Sequence, residues 1–404
     1  MKAFKRLLFL CQTFHPDTTS SSQLFSDLLV RMAESGWEVT VLCGFPLTKT
    51  NEISSKQETW RNIRIKRCGL NIAAKSGMAH RALSYTSFLA GAFIQLLRTP
   101  SDTQWFGVTN PPFALHLLTF VGALRKHNFT FMLLDLHPEG MLKLGSFSNL
   151  NPLIRLWLKL NRWSYHRVGR LAVLGRDMIP LIEKEYGILA SKIVYIPLWS
   201  PAYVNKPLGF SSSIFTNKWK LQEKFVVQYS GNMGLWHDMD SLVHAAKLLE
   251  NSAQIQFIFV GSGIRQASAQ ALAEKLNVHN IRWYDFVSLE VLPESLAACH
   301  ISLISQQSGL EGIAVPSKLY GILASGRAVV AQVPATSEVA LAVTEHQCGL
   351  IAIPGNAEHL AQQIRKLADD PELVQTMGEQ AFFAYKQFYT VEKAQARLER
   401  FLEY

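Results

Sequence analysis

Short apolar runs alternate with longer amphipathic stretches along most of the chain. Leu7–Cys11 is followed by a polar loop and an amphipathic segment, Gln23–Glu34, with Gly36 just beyond it. Glycine is favoured there because the residue after a helix end often turns left-handed. Further apolar runs follow at Val39–Cys43, Ile63–Cys68, Gln104–Val108, Thr130–Leu134, Arg170–Val173 and Ile193–Ile196. Strand-length runs separated by helix-length segments predict βαβ units and a parallel sheet.

The rhythm breaks between residues 201 and 218, where Pro201, Pro207, Gly209 and Ser211-Ser212-Ser213 cluster. This composition marks a linker between domains. The alternation then restarts, with strands expected at Phe225–Tyr229, Gln256–Val260, Ile281–Tyr284, Ile301–Ile304 and Ala328–Gln332. Helices are expected at Asp238–Leu249, Arg265–Leu276, Leu292–Ala298 and Ser317–Ala324, then as long patterns over Ala357–Asp369 and Pro371–Tyr404. The reading is an α/β protein of two doubly wound, Rossmann-like domains, 1–200 and 219–381. Ligands of such sheets bind beyond the carboxyl ends of the strands, so the cleft between two of them is the expected site.

At 404 residues, two domains are the natural division. Forty Lys and Arg against 31 Asp and Glu give a formal charge of +9, which favours anionic partners without choosing among them. Five scattered cysteines lack metal-ligand spacing and read as small buried hydrophobes. The basic and apolar start, Met1–Leu10, has too short an apolar core for a signal peptide and no small-residue cleavage site. No run of about 20 apolar residues is present to span a bilayer; the nearest is Ala82–Leu97, flanked by Arg81 and Arg98.

Five loops could hold chemistry. Gln12–Ser22 enters a helix with hydroxyls at Thr18, Thr19, Ser20, Ser21 and Ser22, one of which is expected to cap it. A helix N-terminus also suits phosphate or sugar oxygens. Ser230–Asp238 follows the first strand of the second half. Its Gly231 and Gly234 permit close backbone approach to a ligand, His237 could reach a diphosphate, and Asp238 reads as a helix cap. Gly261-Ser262-Gly263 is a weaker strand-to-helix turn. Gly309–Gly321 places Glu311 and Gly312 in a glycine-rich loop, followed by Pro316, Ser317, Lys318 and Tyr320. Lysine is disfavoured in a first helical turn, which an anion bound at that helix N-terminus would explain; a solvated surface lysine is the alternative. Asp135-Leu136-His137-Pro138-Glu139 gathers titratable groups that could serve proton transfer; structural hydrogen bonding at a strand end explains them equally well.

In this order the motifs resemble retaining glycosyltransferase family 4, in its bacterial branch for exopolysaccharide, colanic acid and O-antigen assembly. The resemblance is carried by Phe14-His15-Pro16-Asp17, Gly36–Leu42, Val108–Pro112 and Asp135–Glu139, and most specifically by Tyr229–Gly234 and Val315–Gly321. It implies a GT-B fold whose C-terminal domain holds a nucleotide-sugar while the N-terminal domain holds a lipid-linked or glycan acceptor. It also implies a last helix, residues 382–404, crossing back to the N-terminal domain, and a metal-free, cofactor-free retaining reaction. Gly231, Asn232, Gly234, His237, Gly261, Arg265, Gly312, Pro316, Ser317 and Tyr320 would bind the donor. Glu311 would contact the sugar, and Lys318 and His237 would supply positive charge to the leaving diphosphate. His15, Thr18, Thr19 and Ser20 would line the acceptor side, with Asp135 and His137 positioning the acceptor. The Asp238-Met239-Asp240 triplet reads as a helix start and not as a metal motif.

The chain departs from the family where a second glutamate, which holds the ribose, falls at Gly321. Asn232 replaces a diphosphate-binding arginine, and Thr18-Thr19-Ser20 replaces a glycine pair. The missing glutamate keeps a catalytically silent GT-B scaffold open as an alternative; a sugar-nucleotide epimerase is another. A cytoplasmic protein with no nucleic-acid partner is expected. The basic and apolar segments 81–98 and 153–170 could dock on an anionic membrane surface, or could simply be helices packed on the sheet.

Overall fold

The computed structural model describes residues 5–46, 55–71 and 78–403. The chain divides into two compact units, Met1–Pro197 with Val391–Tyr404, and Leu198–Thr390.

In the first unit the elements run β1 (Lys5–Leu10), α1 (Ser20–Glu34), β2 (Trp37–Cys43), β3 (Gln57–Trp60), β4 (Ile63–Arg67), α2 (Met78–Leu97) and β5 (Thr103–Val108). They continue as α3 (Ala114–Arg125), β6 (Phe129–Leu133), α4 (Glu139–Lys143), α5 (Pro152–Arg167), β7 (Arg170–Val173), α6 (Met178–Tyr186) and β8 (Ile193–Tyr195). The sheet order is β3-β4-β2-β1-β5-β6-β7-β8, parallel except for the β3–β4 pair. Parallel strands need crossover connections, and these are right-handed. The chain moves one way from β1 to β4 and the other way from β4 to β8. The rule therefore sets α1 against one face and α2, α3, α5 and α6 against the other. The sheet interior is apolar on both faces, with Leu7, Phe9, Val41, Phe106 and Phe131 fully buried, as a sheet covered on both sides requires.

The second unit runs α7 (Ile214–Lys218), β9 (Phe225–Ser230), α8 (Met239–Leu248), β10 (Ile255–Val260), α9 (Gln266–Lys275), β11 (Ile281–Tyr284), α10 (Leu292–Ala297) and β12 (Ile301–Ser305). Then come α11 (Lys318–Ala324), β13 (Ala328–Gln332), α12 (Glu338–Glu345), β14 (Gly349–Ala352), α13 (Ala357–Ala368) and α14 (Pro371–Phe388), with α15 (Val391–Leu402) returning to the first unit. Its sheet order is β11-β10-β9-β12-β13-β14, parallel throughout. Strand order reverses between β9 and β12. Those two strands pair only at Ile301↔Val227 and Ser302↔Gln228, so their carboxyl ends part.

Three expectations need correction. The helix expected over Pro371–Tyr404 is two helices, because Tyr389 breaks it: its buried ring sits against Tyr320 and its hydroxyl pairs with His346 Nε2 at 2.9 Å. Only the segment from Val391 belongs to the first unit, so residues 382–388 stay in the second. The linker expected over 201–218 is built into the second unit. Ser213 caps α7, and Phe215 packs in a buried cluster with Trp219.

The returning helix is held by its own side chains. Arg31 pairs with Glu392 at 2.8 Å, Gln395 Nε2 donates to Ser35 Oγ at 2.7 Å, and Phe401 lies edge-on to Phe106 beneath the Arg170 guanidinium. The ion pair is exposed and contributes little; the buried ring carries the attachment. Phe401→Ala should destabilise the first unit by about 3–5 kcal/mol. Hydrogen exchange under mild denaturant would then show β5 amides losing protection while β10 amides keep theirs.

Candidate active site

The parted ends of β9 and β12 form the switch point of the second unit, the place where open α/β sheets bind ligands. Hydrogen bonds stitch the two loops leaving these strands together. Gln307 N donates to Trp236 O at 2.9 Å and Gln307 Nε2 to Leu235 O at 3.0 Å. Asp238 N donates to Ser305 Oγ at 3.0 Å, and Asp238 caps α8 by accepting from Ser241 N at 3.1 Å. The neighbouring Asp240 lies 4.0 Å from the Arg265 guanidinium. Asp238 thus has a structural role at a helix start, while Asp240 is exposed in the first turn of α8.

Lys318 begins α11 and folds back over the first loop. Its Nζ lies 3.7 Å from the centre of the Tyr229 ring and 3.5 Å from Asn232 O. The same carbonyl accepts from Tyr229 Oη at 2.8 Å. Gly231 lies beside the lysine: a Cβ there would stand 3.5 Å from Lys318 Cε, an ordinary contact, and it is the φ of +122° that calls for glycine. Lys318 keeps part of its surface open, yet protein surrounds the ammonium on most sides. That desolvation pushes its pKa down to about 7.

His237 departs from expectation. Its Nδ1 is 2.8 Å from Ser305 O, so this nitrogen carries the proton and donates. Burial, and then the Lys318 charge, push the imidazole down to about 3. The ring is therefore neutral and presents Nε2 as an acceptor. It does not supply the positive charge expected from the sequence.

Gly261 and Gly263 have a packing role of their own. A Cβ on Gly261 would drive into the Gly231 carbonyl, and one on Gly263 into the Met233 carbonyl. These glycines let two loops touch through backbone alone, locked by Met233 N to Ser262 O and Arg265 N to Met233 O, each 2.9 Å. Gly234 is similarly crowded by the Asn232 amide.

The Glu311 loop turns through Gly309 and Gly312, both left-handed at φ +81° and +72°. Gln306, buried at the end of β12, fixes it by donating to Leu310 O at 3.1 Å and Ala314 O at 3.3 Å. Glu311 Oε2 is buried with no hydrogen-bond partner among the described residues, and such an atom calls for one. Pro316 O accepts from Leu319 N, and Ser317 occupies the cap position of α11. Tyr320 is fully buried against Tyr389; its side chain packs the core and is not a ligand group. Gly321 meets only Leu296 Cδ1, 3.9 Å from where a Cβ would stand. The missing glutamate is thus not excluded by lack of space at its Cβ.

In the first unit, Thr19 caps α1, accepting from Ser22 N at 3.3 Å, and the helix begins at Ser20, earlier than expected. Thr19 Oγ1 also lies 3.2 Å from Thr13 Oγ1, which accepts from Asn110 Nδ2 at 2.8 Å. Thr18 and Ser20 are exposed beside it. His15 stacks on Trp60 of the unforeseen strand β3, centroids 3.9 Å apart, and burial holds its pKa below the usual value. Buried Arg67 donates to His15 O at 2.9 Å and pairs with Glu58.

Beyond β6, burial raises Asp135 to about 6 and Glu139 to about 7 and lowers His137. Tyr186 Oη donates to Glu139, and Asn161 on α5 donates to His137 O at 2.7 Å. Trp157 stacks on Phe113 at 4.7 Å, with the His137 ring 6.5 Å away. Sequence reasoning missed Ser305, Gln306, Tyr229 and Asn161. A polar triplet, Ser305-Gln306-Gln307, closing an apolar strand was the available signal for the first two.

Residues 212–382 match the glycosyl transferases group 1. The second unit thus carries a glycosyl transferases group 1 domain, and the chain is a glycosyltransferase. It is 25% identical over 368 residues to the probable glycosyltransferase WbjE of Pseudomonas aeruginosa, covering 90% of each chain. It is 24% identical over 367 residues to WcaI of Escherichia coli (strain K12), described as a colanic acid biosynthesis glycosyl transferase, covering 87% of this chain and 89% of that one. The crystal structure of Anabaena Alr3699/HepE in complex with UDP superposes with a TM-score of 0.73 at 14% identity, over 98% of this chain and 99% of that one. The transferase thus has the GT-B fold that its motif order implied.

One consequence concerns Glu139. Its pKa in the folded transferase lies above its unfolded value, so the native state binds more protons between about 4.5 and about 7. Stability therefore falls as pH rises through that window and stays reduced above it. Glu139→Gln keeps the acceptor for Tyr186 and removes the charge. It should be about 2–3 kcal/mol more stable than wild type at pH 8.5 and nearly equal at pH 4.5, as urea unfolding at the two pH values would show.

Proposed function

We propose that the transferase moves a sugar, with retention of anomeric configuration, from a nucleoside diphosphate sugar to a lipid-linked or glycan acceptor in cell-surface polysaccharide assembly. It would act in the cytoplasm or at the inner face of the membrane. The observation that carries this reading is Lys318 seated on Tyr229 beside Gly231 at the β9/β12 switch point. A diphosphate leaving group develops negative charge, and a fixed cation with nearby backbone N–H groups stabilises it. Glu311, with its unpartnered oxygen, would accept from donor-sugar hydroxyls, and neutral His237 would accept another hydroxyl through Nε2. The acceptor hydroxyl would attack on the face the diphosphate leaves, and the phosphate would take the proton, so no metal and no strong protein base is needed. Asp135 and His137 would position the acceptor.

HepE, a structural relative, is seen with UDP, and WcaI is described as a colanic acid transferase; both support a nucleotide-sugar donor and a polysaccharide product. The glycine at the second-glutamate position favours one other reading, a silent scaffold. Thermal melting of the purified chain with UDP, GDP, ADP or dTDP, with EDTA present, separates the two. An active transferase should show a rise in Tm with at least one diphosphate, lost in Lys318→Ala together with about 100-fold in turnover. No rise with any of them leaves the scaffold.

A second expectation follows from the ammonium. Near pH 8, Lys318 of the free protein is mostly neutral, because its pKa is about 7. A bound diphosphate raises that value, so binding takes up a proton. Calorimetry in buffers of different ionisation enthalpy should show net uptake at pH 8, absent in Lys318→Met and at pH 6.

A further inference from the structure

The charge of this chain is unevenly placed. Residues 59–176 hold sixteen Lys and Arg against three acids, Asp102, Asp135 and Glu139, a net of +13 that exceeds the +9 of the whole chain. Helices α2, α3 and α5 contain no acidic residue. Crossover handedness sets all three on one face of the first sheet.

The outward side of these helices is apolar. Leu153 is 73% exposed, Leu156 53%, Phe120 52% and Leu124 59%, with Ile94 and Trp163 also at the surface. The patch is continuous across the helices: Phe93 of α2 stacks on Phe120 of α3, and Phe113 before α3 stacks on Trp157 of α5. Along α5, Leu153, Leu156, Leu160 and Trp163 recur at helical spacing, forming a stripe. Arg155, Lys159 and Arg162 form a second exposed stripe beside it, and Ile154, Asn161, Ser164 and Tyr165 turn inward. Arg167 lies over the Trp163 ring. One solvent-facing helix thus carries an apolar edge and a basic edge. Large exposed apolar patches mark interaction surfaces, and this pairing of stripes suits the boundary between acyl chains and anionic headgroups.

We infer that the α2–α3–α5 face is a docking surface for a bilayer containing anionic phospholipid. Apolar side chains enter the headgroup boundary, while Arg155, Lys159, Arg162 and Arg167 meet lipid phosphates. A second copy is a poor occupant. A two-fold interface brings the same patch against itself, and these helices offer no carboxylate to face the arginines. Nucleic acid is also a poor occupant, because such interfaces are polar and this one is crested with leucine and phenylalanine. No helix of the described residues is long and apolar enough to cross a membrane, so contact is interfacial. The side chain of Arg81, expected to flank this run, lies outside the described residues. The inference rests on the proposed transferase function only for its purpose, which is to bring the first unit to a lipid-linked acceptor.

The test is co-sedimentation of the full chain with vesicles of phosphatidylcholine alone or mixed with phosphatidylglycerol, at low and high salt. Binding should require phosphatidylglycerol and weaken with salt. Leu153→Glu with Leu156→Glu should abolish it at unchanged Tm, and Arg155→Gln with Arg162→Gln should weaken it about 30-fold. Equal binding to both vesicle types, no binding, or binding indifferent to these exposed substitutions overturns the inference. So does a concentration-dependent dimer that Leu153→Glu dissociates, or an acidic protein partner that competes off the vesicles. The nucleotide melting shift serves as a separate readout. Vesicle binding without that shift would sink the transferase reading alone; the shift without vesicle binding would sink the docking surface alone.

Discussion

Parallel strands cannot be joined by a tight turn, so every connection between them must cross the sheet and return. Apart from the antiparallel edge strand β3, the carboxyl ends of the strands come to one edge of each sheet, and the loops leaving them gather there. Where the order of connection reverses, no helix bridges the neighbouring strands and the edge opens. In the second unit this opening lies between β9 and β12, whose pairing stops at Ser302↔Gln228. The lysine seat, the neutral histidine and the unpartnered glutamate oxygen follow from what fills that gap. The helices carried over each face follow from the same constraint, and with them the placement of the acid-free surface of the first unit.

The gap is unusual in how it handles charge. Lys318 enters it against a ring and a carbonyl, contacts that stabilise a cation without neutralising it. Desolvation outweighs them, so the ammonium is close to losing its proton before any ligand arrives. His237 is held neutral by burial and by the nearby Lys318 charge, which together outweigh the Ser305 carbonyl, so the two basic groups do not compete for a proton. An arriving dianion changes the balance at one of them, since only Lys318 lies within easy reach of protonation near neutral pH.

Much of the fold was legible because buried parallel strands are apolar runs of distinctive length. All of the expected strands form, with ends shifted by a residue or two. Strand β3 was not legible, because Gln57-Glu58-Thr59-Trp60 is a half-exposed edge with no apolar run. β14 is a short edge strand, partly buried except at Ala352, and escaped for a similar reason. The break at Tyr389 depends on His346, and the built-in segment at Phe215 depends on Trp219 and a core that the local composition does not reveal. The loops of the site were legible by position, as polar and glycine-rich sequence directly after strands. Side-chain roles were less so. His237 looked cationic because Ser305, whose carbonyl fixes its tautomer, is far away in sequence. Gly261 looked like a ligand contact because the carbonyl it makes room for belongs to another loop. Tyr320 looked like a donor contact because Tyr389, against which its ring is buried, is far away in sequence.

That backbone contact between the Gly231 and Gly261 loops bears on how such a site can diversify. With no side chain between them, substitutions there have little to reshape and much to break. The loop after β12 is held differently, through the side chains of Gln306 and Gln307, so the residues that follow them can change without a backbone clash. Among chains that share this architecture, changes in donor preference should therefore accumulate in the stretch from 306 to 318, while the two glycine loops drift least.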